Sequence, residues 1–344
     1  MSENGNLTDK DPDHPLTTGV LLTNLGTPNA PTASAVREYL AEFLSDPRVI
    51  KVPRPIWWLI LHGFILRSRP ARSAKAYQKI WTEEGSPLLV LSTKLVRAIQ
   101  ETLNKQMDGS IETVLAMRYG NPSILSGLKQ LKNAGIQRLL IFPLYPQYSD
   151  TTTASTFDAI TEGLNILAWQ PKIHKINHYY DNPLYINALA ESIRTHWENE
   201  GRSDKLLFSF HGIPKQYADD GDPYPDECRT TAHLVAEQLQ LVDDDWLISF
   251  QSRFGPGEWL KPYTDTTLRE WGHSGIKSVS VISPGFSADC LETLEEISIQ
   301  NRDFFLAAGG GKFFYIPALN DHPSHIETLK DIILEYMQTW PSTQ

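Results

Sequence analysis

Three strings of this chain return once, in the same order, in its second half. GVLLTNLGTP (19–28) is matched by LLFSFHGIP (206–214), VLAMRYGNPSI (114–124) by LISFQSRFGPGEW (247–259), and NAGIQRLLIFPLYP (133–146) by HSGIKSVSVISPGF (273–286). Each is an apolar run that stops at glycine or proline, the pattern of a buried strand leaving a sheet. A repeat of this kind admits few folds and reads as an ancient duplication of one α/β unit. Strands are expected at 19–25, 113–118, 138–145, 205–211, 246–251, 277–284 and 312–316, with helices at 32–44, 87–104, 124–134, 183–200, 226–240 and 321–340. Strands alternating with helices build βαβ units and a parallel sheet. The expected fold class is therefore α/β with two Rossmann-like lobes, each a parallel β-sheet flanked by helices. Residues 1–18 are read as a flexible arm, 19–175 and 176–320 as the two lobes, and 321–344 as a C-terminal helix packing back on the first lobe.

Loops leaving the carboxyl ends of parallel strands converge on the ligand crevice. In a duplicated fold the equivalent ends face one cleft, which places Asn24, Arg118, Tyr145, His211, Arg253 and Phe286 there. The copies diverge where chemistry would sit, Asn24-Leu25 in the first against Phe210-His211 in the second. An imidazole at a strand end is suited to proton transfer or to a transition metal. After the sixth expected strand, SADCLETLEEI begins a helix near Asp289, and on α-helical spacing Glu292, Glu296 and Gln300 fall on one face. Such a file can pass a divalent cation or protons, or it can be a solvated face capped by Asp289. Arg118 and Tyr119 could form a fork for a ligand carboxylate or serve as a structural pair, and Trp259 offers a flat stacking face. Tyr224 and Asp226 read as a turn and a helix cap, and His322 with His325 as part of a cap and final helix rather than a metal site.

The formal net charge of −10 argues against a nucleic-acid surface, which needs a basic face. Cys228 and Cys290 are the two cysteines, too few for a disulfide framework and without a CxxC partner for structural zinc. No apolar signal region precedes the first strand, so a reducing cytoplasm is expected. The most apolar window, IWWLILHGFIL from Ile56 to Leu66, is shorter than the roughly 20 residues a spanning helix needs. Arg67, Arg69, Arg72 and Lys75 follow it. The window is read as a buried helix, a segment lying in a membrane interface, or the lip of a pocket for a flat apolar ligand.

The strings NLGTP, AYQKIWTEEGSPL, MRYGNP, YPQYS, FSFHGIP, GDPYPDEC, QSRFGPGEWLKP and SPGFSADCLETLEEI occur in the order found in ferrochelatases, and the chain resembles that family from about residue 19 to 340. The resemblance implies an enzyme that inserts Fe²⁺ into protoporphyrin IX to form protohaem, the terminal step of haem biosynthesis, with the macrocycle in the cleft between the lobes. It implies that His211 and Glu292 are an opposed catalytic pair reaching the ring from opposite lobes. It places Arg118 and Tyr119 by the porphyrin, and makes 56–66 a hydrophobic mouth with Tyr77 and Ser86 near it. Departures are Leu25 where relatives carry Met or Tyr, Cys290 for a histidine, Gln300 for a glutamate, and Asp150 where cluster-bearing members have cysteine. With no cysteine-bearing tail before Gln344, no iron–sulfur cluster or other resident cofactor is expected, Fe²⁺ being a substrate.

Metallation must remove two pyrrole protons, and walls that favour a distorted ring lower its barrier. His211 is expected to take a pyrrole proton towards Glu292, or to ligate iron in passing. Glu296 and Asp289 extend a polar conduit and are candidate iron contacts. The expected partners are porphyrin and Fe²⁺, with peripheral membrane contact through 56–66 on the inner face of the membrane, and a monomeric enzyme. Competing readings are a coproporphyrin ferrochelatase, a cobalt or nickel chelatase of another tetrapyrrole, and a non-catalytic tetrapyrrole-binding protein.

Overall fold

The computed structural model describes residues 17–106, 111–255 and 257–340; most of the expected arm, and the end of the chain beyond 340, lie outside the described residues. The first half runs β1 (Thr18–Thr27), α1 (Ala33–Leu44), α2 (Arg54–Ile60), a π-helical turn π1 (Leu61–Ile65), α3 (Leu66–Ile80), α4 (Pro87–Gln106), β2 (Ile111–Gly120), α5 (Ile124–Asn133), β3 (Arg138–Pro143), π2 (Asp150–Ala154), α6 (Ser155–Ile166) and β4 (Lys172–Lys175). The second runs α7 (Pro183–Glu200), β5 (Lys205–His211), α8 (Lys215–Asp219), α9 (Tyr224–Gln238), β6 (Trp246–Gln251), α10 (Thr264–His273), β7 (Ser278–Ile282), π3 (Glu292–Asn301), α11 (Arg302–Ala307), β8 (Lys312–Ile316) and α12 (Pro323–Gln338).

The two four-stranded sheets have the orders β2-β1-β3-β4 and β6-β5-β7-β8, and every pairing is parallel. The central strands β1 and β5 are buried on both faces, which is why their sequences are continuous apolar runs rather than alternations. The β4 strand, KIHK, was not legible as a strand, being a short lysine-flanked edge of the kind that blocks further pairing. Also unforeseen were α6, α8, α10 and α3, the last because Pro70 inside it and the π turn before it interrupt its periodicity, while α2 and π1 fall in the window for which a helix is one reading.

Helix starts follow local chemistry. The Thr32 hydroxyl accepts from the Ala35 amide, and Asn182 accepts from Leu184 and Tyr185 ahead of a first-turn proline. One continuous core joins the sheets: Val20, Leu22 and Phe142 pack with Leu95 and Ile99 of α4, and through α7, α9 and α12 with Phe208 and Phe210. Each such side chain contributes about 1.5–3 kcal/mol of burial. The outer faces are covered separately, by α5 and α6 on the first sheet and by α10, α11 and π3 on the second. The α12 helix packs on both α4 and α7, and Trp340 beyond it stacks on His174 of β4 at 4.4 Å between ring centroids. The loop after β3 is sewn to the second lobe: the Tyr148 amide donates to Glu227, the Ser149 hydroxyl and Asp150 amide to Asp222, and Gln147 to Thr231. These contacts hold the carboxyl ends of the two sheets beside each other.

Candidate active site

His211 closes β5 and pairs in register with Gln251 of β6. Its Nδ1 lies 2.7 Å from the Gly212 carbonyl oxygen, which can only accept, so Nδ1 carries a proton, and in the neutral imidazole the lone pair is then on Nε2. The turn behind it needs glycine: a Cβ at Gly212 would stand 2.9 Å from the Gln251 carbonyl oxygen and 3.2 Å from Trp259 Cε3. Trp259, whose indole N–H donates to the Phe254 carbonyl at 2.8 Å, therefore backs the histidine turn. Phe286 flanks the imidazole with centroids 6.4 Å apart.

Glu292 opens π3, and Gln251 Nε2 donates to its carbonyl oxygen at 2.7 Å while Gln251 Oε1 accepts from Ser209 at 2.7 Å. This buried amide ties the ends of β5 and β6 to the start of π3. His211 and Glu292 thus both belong to the second lobe, which corrects the expectation that they approach from opposite lobes. Asp289 departs from its expected place in the conduit as well. Its Oδ1 accepts from Thr293 at 2.9 Å and from Tyr315, its Oδ2 from Asn320 at 2.8 Å, and the residue is buried. Its oxygens knot the loop before π3 and are not turned to a ligand.

The acidic file follows π rather than α geometry, with bonds from i to i+5. Glu296 remains next in line from Glu292, but Gln300 donates to Glu295, five residues before it, and Asn301 Nδ2 donates to the Glu296 carbonyl at 2.8 Å. Glu295 in turn pairs with Lys79 of α3 at 2.7 Å. The Glu296 carboxylate accepts from the Ser252 amide at 2.8 Å and from the Ser252 hydroxyl, with Ser252 held at a φ of 66°. Burial pushes the Glu296 carboxyl up to about 7, over the opposing effect of the Ser252 hydroxyl and with help from the charges of Glu292 and Glu295. Beyond Glu296 a polar cavity of about 150 Å³ opens, lined by Ser252, Arg253, Asp265, Gln300 and Asn301 among others. Arg253 is paired with Asp265 at 2.9 Å there.

At the inner end, Glu292, Leu291 and Cys290 meet a wall from the first lobe made of Leu25, Gly26, Thr27, Tyr39, Tyr77, Ser86 and Leu88. Three residues expected near the ligand, Leu25, Tyr77 and Ser86, are therefore brought to Glu292. Thr27 donates to the Ser86 hydroxyl at 2.7 Å and Tyr39 to the Gly26 carbonyl at 3.1 Å. Burial, then the charge of Glu292, pushes the Tyr77 phenol up, so it stays a donor. Arg69 stacks on Phe254 at 4.4 Å, and its guanidinium is lowered by burial and by Arg72, with Glu292 and Tyr77 opposing. Arg69, Tyr39, Gln251 and Ser252 were missed in the sequence. Arg69 precedes Tyr77 by two four-residue steps in α3, a signal hidden because no helix was read there.

Arg118 and Tyr119 are tied within the first lobe. Arg118 donates to Asp46 at 2.5 Å and to Ser155 at 2.7 Å, and Tyr119, 1% exposed, donates to Asp46 at 2.8 Å. Burial pushes the Asp46 carboxyl up, and hydrogen bonds from Ser155, the Arg48 amide and Tyr119 together with the Arg118 charge more than offset it, leaving it below its ordinary value. Asn24 is likewise turned inward, bonded to Ser92 at 3.2 Å, and Tyr145 is buried. In the apolar window, Trp57 and Leu61 anchor inward while Trp58 and Phe64 are 58% and 74% exposed. No helix among the described residues is long and apolar enough to cross a membrane. His322 caps α12, and burial pushes His325 down to about 4. Among the described residues no three His, Cys, Asp or Glu side chains gather closely enough to hold a metal ion by themselves.

The sequence model of the ferrochelatase family matches residues 17–337. A curated ferrochelatase of Nitrosococcus oceani is 54% identical over 94% of this chain and 87% of its own length. One of Thioalkalivibrio sulfidiphilus is 52% identical over 94% of this chain and 88% of its own. Among solved structures, SirB from Bacillus subtilis with Fe³⁺ aligns with a TM-score of 0.53 at 12% identity, covering 93% of this chain and 95% of that one. The sirohydrochlorin chelatase SirB in complex with cobalt aligns with a TM-score of 0.53 at 9% identity, covering 94% and 97%. These two likenesses establish a chelatase-like fold and no more.

Proposed function

Since this chain belongs to the ferrochelatase family, we propose that its His211 and Glu292 handle the protons and metal of the family reaction at the second lobe's strand ends, against a porphyrin-binding wall from the first. The enzyme is a metal chelatase of haem synthesis that places ferrous iron in a porphyrin. The observation that carries the assignment of roles is the hydrogen bond of His211: with Nδ1 donating to Gly212 O, Nε2 is the nitrogen left to act as base in the neutral ring, at a strand end whose neighbour Gln251 is tied to Glu292.

Two pyrrole protons must leave as iron enters. His211 Nε2 takes them one after the other, Glu292 receives each in turn, and Glu296, whose carboxyl is pushed up to about 7, relays both to the outer polar cavity. Asp289 supports the loop and takes no proton. Imidazole and carboxylate are also acceptable transient contacts for the incoming metal. Leu25 has no donor atom, so the facing wall offers no side-chain ligand for iron at that position. Tyr77 and Ser86 supply hydroxyl groups at the ring edge, and Arg69 supplies a positive charge that acts on Tyr77.

The exposed apolar face around Trp58 and Phe64, fringed by Arg54 and Arg67, favours protoporphyrin over more carboxylated rings and supports peripheral contact with the inner face of a membrane. A monomeric enzyme in the cytoplasm belongs to the same reading. No cluster is assigned: the position that is cysteine in cluster-bearing relatives is Asp150, paired with Arg48 and Lys51, and two cysteines fall short of the four thiolates a cluster takes.

The test is His211→Ala assayed anaerobically with Fe²⁺ and protoporphyrin. Haem formation is expected to fall at least ~100-fold, the span of a lost general base, with porphyrin binding still visible as fluorescence quenching. Turnover near the wild-type rate would remove His211 from the mechanism.

A further inference from the structure

The cavity between Glu292 and the first-lobe wall measures about 10 Å³, room for roughly one water. Ligand pockets run to roughly 300–1,000 Å³, so the walls must part before a macrocycle can enter. On the far side of the cleft the lobes are sewn by main-chain amides of residues 148 and 150 on Glu227 and Asp222. On the near side the walls are α3, which carries Arg69 and Tyr77, and π3, which carries Glu292 and Glu296. Among the described residues the polar bridge between these two elements is Lys79 Nζ to Glu295 Oε1, at 2.7 Å.

Neither residue has a place in the proton path above. The two ends of the bridge are unlike: the Glu295 side chain is 4% exposed and that of Lys79 50%. The carboxylate is fixed, because its other oxygen accepts from Gln300, the residue one π turn ahead and a lining residue of the outer cavity. The lysine can swing to water at little cost, since half-exposed ion pairs are weak. A contact with one fixed and one releasable end, joining the two elements that flank a cavity too small for its ligand, has the properties of a catch.

We propose that the Lys79–Glu295 pair is the latch of the cleft, a positioning pair that holds α3 against π3 over the bound ring and sets the rate at which porphyrin leaves. The proposal rests on the reading of the inner cavity as the porphyrin site. With the latch open, Gln300 alone retains Glu295, and the wall bearing Tyr77 is free to move away from Glu292.

The experiment is stopped-flow fluorescence of protoporphyrin association and dissociation with wild type, Lys79→Met, Glu295→Gln, Lys79→Arg and the double variant Lys79→Met/Glu295→Gln. Lys79→Met and Glu295→Gln should each raise the dissociation rate about threefold to tenfold at low salt, the range of one half-exposed pair. The double variant should add nothing further, Lys79→Arg should stay near wild type, and high salt should erase the differences. Lys79 is at the surface, so Lys79→Met keeps the test open if Glu295→Gln folds poorly. Dissociation within twofold of wild type in Lys79→Met, or effects that add in the double variant, would overturn the latch. Leu25→Trp fills the inner cavity and separates the two failures. If porphyrin still binds to that variant, the ring lies elsewhere and the site reading fails; if binding is lost there and Lys79→Met is unaltered, the latch alone fails.

Discussion

Glu296→Gln tests the conduit through stability rather than turnover. The Glu296 carboxyl goes from an ordinary 4.5 to about 7, chiefly by burial, which corresponds to roughly 3 kcal/mol. The folded state favours the protonated acid, so the folded protein holds more protons than the unfolded one between these values, and stability falls as pH rises through that window. Below about 4.5 both states are protonated and the contribution is fully present; above about 7 the carboxylate is charged in the fold and the contribution is lost. Glutamine imitates the protonated acid. Its oxygen can accept from the Ser252 amide and its N–H can donate to the Ser252 hydroxyl, so the contacts survive without the titration. Denaturant unfolding of both proteins at pH 5 and pH 8, with slopes compared to exclude a change in compactness, should show near-equal stability at the lower pH. At the higher pH the variant should be the more stable by up to roughly 3 kcal/mol. In haem formation, a limb of the pH–rate profile near 7 should be lost in the variant. A stability difference that is the same at both pH values, or wild type the more stable at pH 8, would refute a neutral, buried Glu296.

Two further perturbations separate roles that the sequence left open. Arg118→Met strands the Asp46 carboxylate and should cost about 3–5 kcal/mol in denaturant unfolding while leaving KM for porphyrin within about twofold; unchanged stability with KM raised tenfold would make Arg118 the ligand fork after all. Trp58→Glu combined with Phe64→Glu removes two side chains from the exposed apolar face, each worth about 1.5–3 kcal/mol of burial in a lipid interface, and should cut sedimentation with vesicles by at least ~100-fold. Turnover of detergent-dispersed porphyrin should persist, and unaltered vesicle binding would dismiss this face as the membrane contact.

The elements that were legible are those whose sequence carries their own reason. Fully buried strands such as β1 and β5 are uninterrupted apolar runs ending at Gly26 and Gly212, and α4 and α7 begin at prolines behind polar residues. What escaped lacked a local signature. The lysines of β4 are there to discourage pairing, and α3 is disguised by the π turn before it and by Pro70 inside it. Within the site, the strand-end position of His211 and the acidity of π3 were visible as residue types at strand ends. Their membership of one lobe followed from the expected bounds 176–320, against the opposed arrangement that the resemblance implied, and the Gln251 link between the end of β6 and π3 was not visible in the sequence. Asp289 and Arg118 carry the chemistry of ligands, yet they spend it on Tyr315, Asn320, Asp46 and Ser155, and no spacing rule predicts such internal satisfaction.

Both lobes repeat the same strand order, and in both a π-helical segment follows the third strand in sequence, π2 after β3 and π3 after β7. A register so uncommon is not kept twice by propensity alone; it widens the helix at the strand ends, where an extra residue must be accommodated. The copies use that widening differently. In the first, Asn24, Arg118 and Asp150 are each matched by a partner within their own lobe or at its surface, so this end of the sheet is electrically closed. In the second, His211 bonds only its own turn through Nδ1, and π3 carries Glu292, Glu295 and Glu296 within five residues, with Lys79 of the other lobe paired to Glu295. An active site built in this way needs only one chemically open copy. On the proposed reading the closed copy contributes the wall that faces Glu292, and the part of it carried on β1, Leu25 to Thr27, is held by the sheet, so it can distinguish a bent macrocycle from a flat one. The unequal satisfaction of equivalent strand ends, rather than any single residue, is what makes a duplicated scaffold a one-sided catalyst.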